Sequence, residues 1–190
     1  MFLDPLIQLD EQLFVFLNGL GTPVWDGFWL FMTKTKNSFP LYLLLLVLSY
    51  RFFGGKGTLV ILVTVALLIT CTDQLSNFFK YGVQRLRPCH DPDISGAMRL
   101  VKSYCGGQYA FFSAHAANSF AAASFFTALF VKKWPWFTGL LLLWAVIVAY
   151  SRIYIGVHFP LDVIVGALIG SLFGWVFAKL YIFALHKIGA

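Results

Sequence analysis

The chain has 190 residues, 59% of them hydrophobic and only 12% charged, with a mean hydropathy of +0.79 and a formal net charge of +6. Soluble globular domains carry about 25% charged residues, so the composition excludes a disordered chain and argues against an ordinary soluble domain. A bilayer core of about 30 Å takes roughly 20 apolar residues per helical span, which leaves room here for five or six spans in a single domain and for no soluble module.

Residues 4–20 mix Asp4, Asp10 and Glu11 with Leu6, Leu9, Leu13 and Leu17 at spacings of three or four. That pattern predicts an amphipathic helix lying in the membrane interface, with a poor first span as the alternative. The acids, and the lack of a basic stretch before them, do not read as a cleavable signal peptide. Residues 22–36 hold Trp25, Trp29 and Phe31 beside Lys34 and Lys36, as in an aromatic belt. Clear spans are predicted at about 38–53 and 57–80. Residues 81–111 contain two prolines and four glycines and form a polar connection. Further spans follow at about 112–131, 136–151 and 159–185. On the last, Gly166, Gly170 and Gly174 give small-xxx-small spacing, the mark of a close-packing face. The expected architecture is an all-α integral-membrane bundle of five, alternatively six, transmembrane helices after the interfacial helix.

Alternation of the spans puts the short basic connections 51–56 and 132–135 on one face, which suits the cytoplasm. The opposite face, periplasmic or extracytoplasmic, receives Lys80, Arg85, Arg87, Arg99, Lys102 and Arg152. Cation counts alone do not favour that orientation, so the excess on the outer face needs its own explanation. Cys89 and Cys105 flank the polar connection and can pair if it faces an oxidising compartment; Cys71 lies in an apolar run.

Three groups of polar residues fall at span ends on that outer face. The first runs from Lys80 to Arg87-Pro88; if the helix persists, Lys80 and Arg87 lie two turns apart on one side. The second is Phe112-Ser113-Ala114-His115. The third runs from Ser151-Arg152 through His158 to Asp162, with His158 and Asp162 four apart. Ionisable groups near membrane depth usually mark function. Three fixed cations, a hydroxyl, two histidines and a carboxylate form an inventory for phosphoryl transfer. Arginine forks match phosphate oxygens, an imidazole can attack phosphorus, and a carboxylate can orient it.

These three groups resemble the signature motifs of the type 2 phosphatidic acid phosphatase superfamily: Lys-x6-Arg-Pro, Pro-Ser-Gly-His and Ser-Arg-x5-His-x3-Asp. The resemblance covers about residues 57–180. Phe112 stands where the family has proline and Ala114 where it has glycine. The hydrophobicity selects the family's integral-membrane lipid phosphatase branch. The resemblance implies that His158 is the nucleophile that becomes phosphohistidine and that Asp162 orients it. His115 is then the general acid for the leaving group and activates water in the second step. Lys80, Arg87, Ser113, Arg152 and the backbone N–H of Ala114 bind the phosphate. It further implies no metal and no cofactor, a phosphate- or pyrophosphate-bearing membrane lipid as partner, and no nucleic acid. Phosphatidylglycerophosphate, phosphatidic acid, undecaprenyl pyrophosphate and lipid A phosphate all fit; a phosphotransferase or a non-enzymatic transporter is the alternative.

Outside the motifs, Asp73 is expected to tie helices together, with a lipid head-group contact as the alternative. Asn118 is expected to hydrogen-bond within the bundle, His90 to face solvent, and Tyr150 and Tyr154 to sit in the interface. Arg85, Arg99 and Lys102 read either as contacts for a second phosphate or anionic lipids, or as a solvated basic loop.

Overall fold

The computed structural model describes residues 4–187. Among them six α-helices follow in chain order: α1 Asp4–Gly19, α2 Pro23–Met32, α3 Phe39–Val83, α4 Ala114–Phe130, α5 Pro135–Tyr154 and α6 Pro160–Lys187. The segments Thr35–Val83, Pro135–Tyr154 and Pro160–Lys187 are long and apolar enough to cross a membrane.

The expected spans 38–53 and 57–80 fall on one element, α3, which breaks at Gly54 with φ 66° and ψ −174°. That backbone conformation is open to glycine and strained for other residues. The break folds α3 into two antiparallel arms. Phe52, just before it, packs on Phe130, the last residue of α4, and on Trp134, which precedes α5. Ser76, well after it, donates to the Phe112 carbonyl at the N-terminal end of α4, at 2.9 Å.

Helix α4 occupies the centre. Its alanines and phenylalanines are buried around most of its circumference, from Ala116 and Ala117 to Phe125 and Phe130, as expected of a helix apolar all round. It starts at Ala114 because Ser113 acts as N-cap, accepting the Ala116 N–H at 3.4 Å. The glycine stripe of α6 lies against its backbone. A Cβ on Gly166 would come 2.6 Å from the Ser113 carbonyl, and one on Gly170 would collide with the Ala117 carbonyl. Only glycine permits this approach, which brings the start of α4 against the start of α6.

Helix α1 turns a polar face, not its leucines, to the bundle. Leu6, Leu9 and Leu13 point outward, and the buried side is Asp10, Phe14 and Asn18. Lipid is as apolar as leucine, so nothing drives the leucines inward. Asp10 and Asn18 instead find polar partners that lipid lacks. Asn18 Nδ2 donates to the carbonyls of Arg99, Ile153 and Tyr154, and its Oδ1 accepts the Arg99 N–H at 2.7 Å.

Candidate active site

The helix that carries Lys80 stops at Val83 and does not persist to Arg87. Gln84 adopts a left-handed conformation, φ 56°, and the chain then runs extended. The Ala110 N–H donates to the Arg85 carbonyl at 2.8 Å and the Arg87 N–H to the Gln108 carbonyl at 3.1 Å. Lys80 and Arg87 therefore do not share a helix face, yet both reach one cavity. The polar connection holds Arg87 in place: its Nε donates to the Tyr109 carbonyl at 3.2 Å and its Nη1 to the Cys105 carbonyl at 3.0 Å. Cys105 is joined to Cys89 by a disulfide across a 6.0 Å Cα–Cα separation.

The cavity has a volume of about 590 Å³ and runs from the polar end of the bundle into its interior. Lys80, Arg87, Ala114, His115, Arg152 and His158 all line it. Asp73 and Asn118 follow on its walls, and Ile61, Phe126 and Trp144 line its apolar part. Six of the eight residues singled out from the motifs thus converge on one space. The other two, Ser113 and Asp162, are fully buried beside it. Ser113 Oγ is engaged as the α4 cap, and its N–H donates to the Asp162 carbonyl at 3.0 Å. Ala114 has no left-handed backbone, so alanine replaces the family's glycine there without strain.

His158 lies in the turn between α5 and α6. Gly156 shapes that turn with φ 83°, where a Cβ would also press on the Arg99 carbonyl at 2.8 Å. His158 Nδ1 is 3.5 Å from Asp162 Oδ2. The same oxygen accepts the Phe159 N–H at 2.9 Å, the reach-back contact of a residue three places into a helix. Burial, reinforced by Arg152, Arg87 and Lys80, holds the His158 imidazole well below its ordinary range. The ring is therefore neutral at pH 7, the state with a free lone pair. Arg152 is 5% exposed; its Nη1 donates to Thr33 Oγ1 at 2.5 Å and its Nε has no protein partner. A buried guanidinium with an unused donor beside a cavity is suited to an anion.

Several side chains do something other than the sequence pattern suggests. Arg85 and Arg99 are engaged by carboxylates and are not free for a second phosphate. Arg99 forks onto Asp26 at 2.9 and 2.8 Å, and Arg85 pairs with Asp10 and Asp162. Tyr154 is buried, stacks on Trp29 and donates to the Thr22 carbonyl at 2.8 Å, latching α2 to α5. Lys102 lies over the Tyr104 ring, and burial with Arg152, Arg87 and Lys34 nearby lowers its ammonium below the usual range. Asn118 accepts from Thr72 Oγ1 at 2.5 Å, as expected of a bundle hydrogen bond. His90 is exposed. Asp10, Asp26 and Thr33 were not legible as site supports, because their partners are 75, 73 and 119 residues away in sequence.

A family model described as the PAP2 superfamily matches residues 57–184. The chain belongs to the PAP2 superfamily. It is similar to two proteins named lipid A 4'-phosphatase. The one from Bacteroides thetaiotaomicron is 38% identical over 97% of this chain and 80% of its own length. The one from Porphyromonas gingivalis is 34% identical over 96% and 77%. Among solved structures, a transmembrane PAP2-type phosphatidylglycerolphosphate phosphatase from Bacillus subtilis superposes with a TM-score of 0.70. The alignment covers 93% of this chain and 86% of that one at 19% identity, a likeness of fold. With its long apolar segments, this PAP2 chain is an integral membrane protein.

Proposed function

We propose that the chain hydrolyses a lipid phosphomonoester or pyrophosphate through a phosphohistidine on His158, with no metal taking part. The observation that carries this is the convergence of two histidines and three cations at the polar end of one cavity, with Asp162 behind His158. Lys80, Arg87 and Arg152 hold the phosphate, aided by the N–H groups that open α4 at Ala114; Ser113 contributes by fixing that helix start. The neutral His158 attacks phosphorus as the bond to the lipid oxygen breaks. Asp162 orients the ring and balances the positive charge it gains. His115 gives its proton to the departing lipid oxygen. It then takes one from the water that breaks the P–N bond and releases inorganic phosphate.

The two relatives named lipid A 4'-phosphatase make a glucosamine-linked lipid phosphate the first substrate to test. In this proposal the two arms of α3, with α4, α5 and α6, form five spans of a single domain, and α1 lies in the interface. The active site faces the periplasm or outside of a bacterial inner membrane. The Cys89–Cys105 disulfide supports that side, since disulfides persist in oxidising compartments. The test is phosphate release from lipid A, phosphatidic acid, phosphatidylglycerophosphate and undecaprenyl pyrophosphate with EDTA present. Turnover of at least one, inhibited by vanadate, is expected; flux of phosphate in proteoliposomes without release would favour a transporter.

A further inference from the structure

Arg85 falls among the unassigned positions between Lys80 and Arg87, and its side chain is not part of the cavity wall. Its backbone is pinned by Ala110. Its guanidinium sits over the Phe159 ring, 4.0 Å from the centroid. From there Nη1 donates to Asp162 Oδ1 at 3.2 Å and Nη2 to Asp10 Oδ2 at 2.7 Å. Asp10 Oδ1 in turn accepts the Leu161 N–H at 2.7 Å, one of the free donors in the first turn of α6.

We propose that Arg85 is a positioning residue: it clamps Asp162, and through it His158, against the N-terminal helix α1. The inference rests on the phosphohistidine reading above and extends it to residues outside the motifs. The two oxygens of Asp162 divide their work. Oδ2 takes the Phe159 N–H and faces His158 Nδ1; Oδ1 has Arg85. Asp162 is fully buried, so without Arg85 that oxygen loses its charged partner in a place water does not fill. Asp10 supplies a second negative charge, and the arginine between the two carboxylates offsets their repulsion. A fork is needed to reach both, which a lysine ammonium does not provide. Helix α1 is thereby tied to the catalytic turn at Leu161 and, through Arg85, at Asp162. Both Nη atoms are committed to carboxylates, which sets Arg85 apart from Lys80, Arg87 and Arg152 on the cavity wall.

The experiment measures steady-state phosphate release by the full-length chain on lipid A and phosphatidic acid micelles. Wild type is compared with Arg85→Met, Arg85→Lys, Asp10→Asn and the Arg85→Met/Asp10→Asn double variant, and thermal unfolding is followed for each. Arg85→Met is expected to lower kcat roughly 10- to 100-fold, the scale of a lost buried hydrogen bond to a charged group. KM should stay within about twofold, because Arg85 does not touch the phosphate. Arg85→Lys recovers part of kcat. Asp10→Asn, which keeps an oxygen for Leu161, lowers kcat less, and adds little on top of Arg85→Met. A raised KM with kcat retained would make Arg85 a phosphate ligand and overturn the inference. So would unchanged kcat, additive losses, or losses that only follow the unfolded fraction with no recovery in Arg85→Lys. A wild type inactive on every lipid phosphate would reject the phosphatase reading, and this inference with it. An active wild type beside an unaffected Arg85→Met rejects this inference alone.

Discussion

If one hydrocarbon chain of the substrate occupies the apolar part of the cavity, a bulky residue placed half-way down should shorten the chain that fits. Ala122 lines the cavity and lies seven residues after His115 on α4, about 10 Å deeper at 1.5 Å per residue. Phe126 also lines it, eleven residues after His115 and about 16 Å deeper. Ala122→Phe closes the stretch between them, about 6 Å, which displaces on the order of four methylene groups. At about 0.8 kcal/mol per buried methylene this costs roughly 3 kcal/mol, or about 100-fold in kcat/KM for a long-chain lipid phosphate. The polar end of the cavity is untouched, so a phosphate ester with a chain of about four carbons should lose less than about threefold. The assay compares kcat/KM on the two substrates for wild type, Ala122→Phe and Ala122→Ser, with thermal unfolding as the control for folding. Equal losses on both substrates, or no loss on the long chain, would refute the placement of the chain in this cavity.

Peptide mapping without reductant is expected to recover Cys89 linked to Cys105. Replacing both by serine should cost about 3 kcal/mol of stability on the scale of a loop of this length, and lower activity through the loosened Arg87. Gly170→Val puts a Cβ into the Ala117 carbonyl; a destabilisation of about 3 kcal/mol, or failure to accumulate in the membrane, is expected. The Arg99 guanidinium, with Tyr154, holds the Asp26 carboxyl below its ordinary value of 3.8. This contribution to stability is therefore present above that value and lost as pH falls through the lower, folded-state one. Thermal unfolding followed from pH ~6 to pH ~3 should show a steeper acid decline in wild type than in Asp26→Asn.

The motif residues that line the cavity were legible in the sequence, and the contacts made across the chain were not. His115, His158 and the cations follow from local spacing, and the glycine stripe of α6 from its own four-residue period. Gly166, Gly170 and Gly174 meet Ser113, Ala117 and Ala121 as that spacing implies. Helix α1 was legible as a helix, but its buried face was not. Hydrophobic periodicity marks the leucine stripe, which can face lipid, but not which polar residues of the other side find partners in the bundle. Asp10 is buried for a partner, Arg85, that adjoins it only after the polar connection folds back. The left-handed turn at Gln84, which ends the helix before Arg87, is not legible because nothing local in the sequence marks it. Arg85 and Arg99 look like surplus surface cations in the sequence because their carboxylates, Asp10, Asp162 and Asp26, lie more than 70 residues away along the chain.

The basic balance of the composition now has a structural account. Lys80, Arg87 and Arg152 face the cavity, while Arg85 and Arg99 are matched by acids.

The central claim is that His158 carries the phosphate during turnover. The most direct measurement quenches the enzyme in alkali during hydrolysis of a radiolabelled lipid phosphate in EDTA, then locates the label by peptide mass spectrometry. The account predicts an acid-labile, base-stable phosphate on His158, absent together with activity in His158→Ala. Phosphate release that persists in His158→Ala would contradict it.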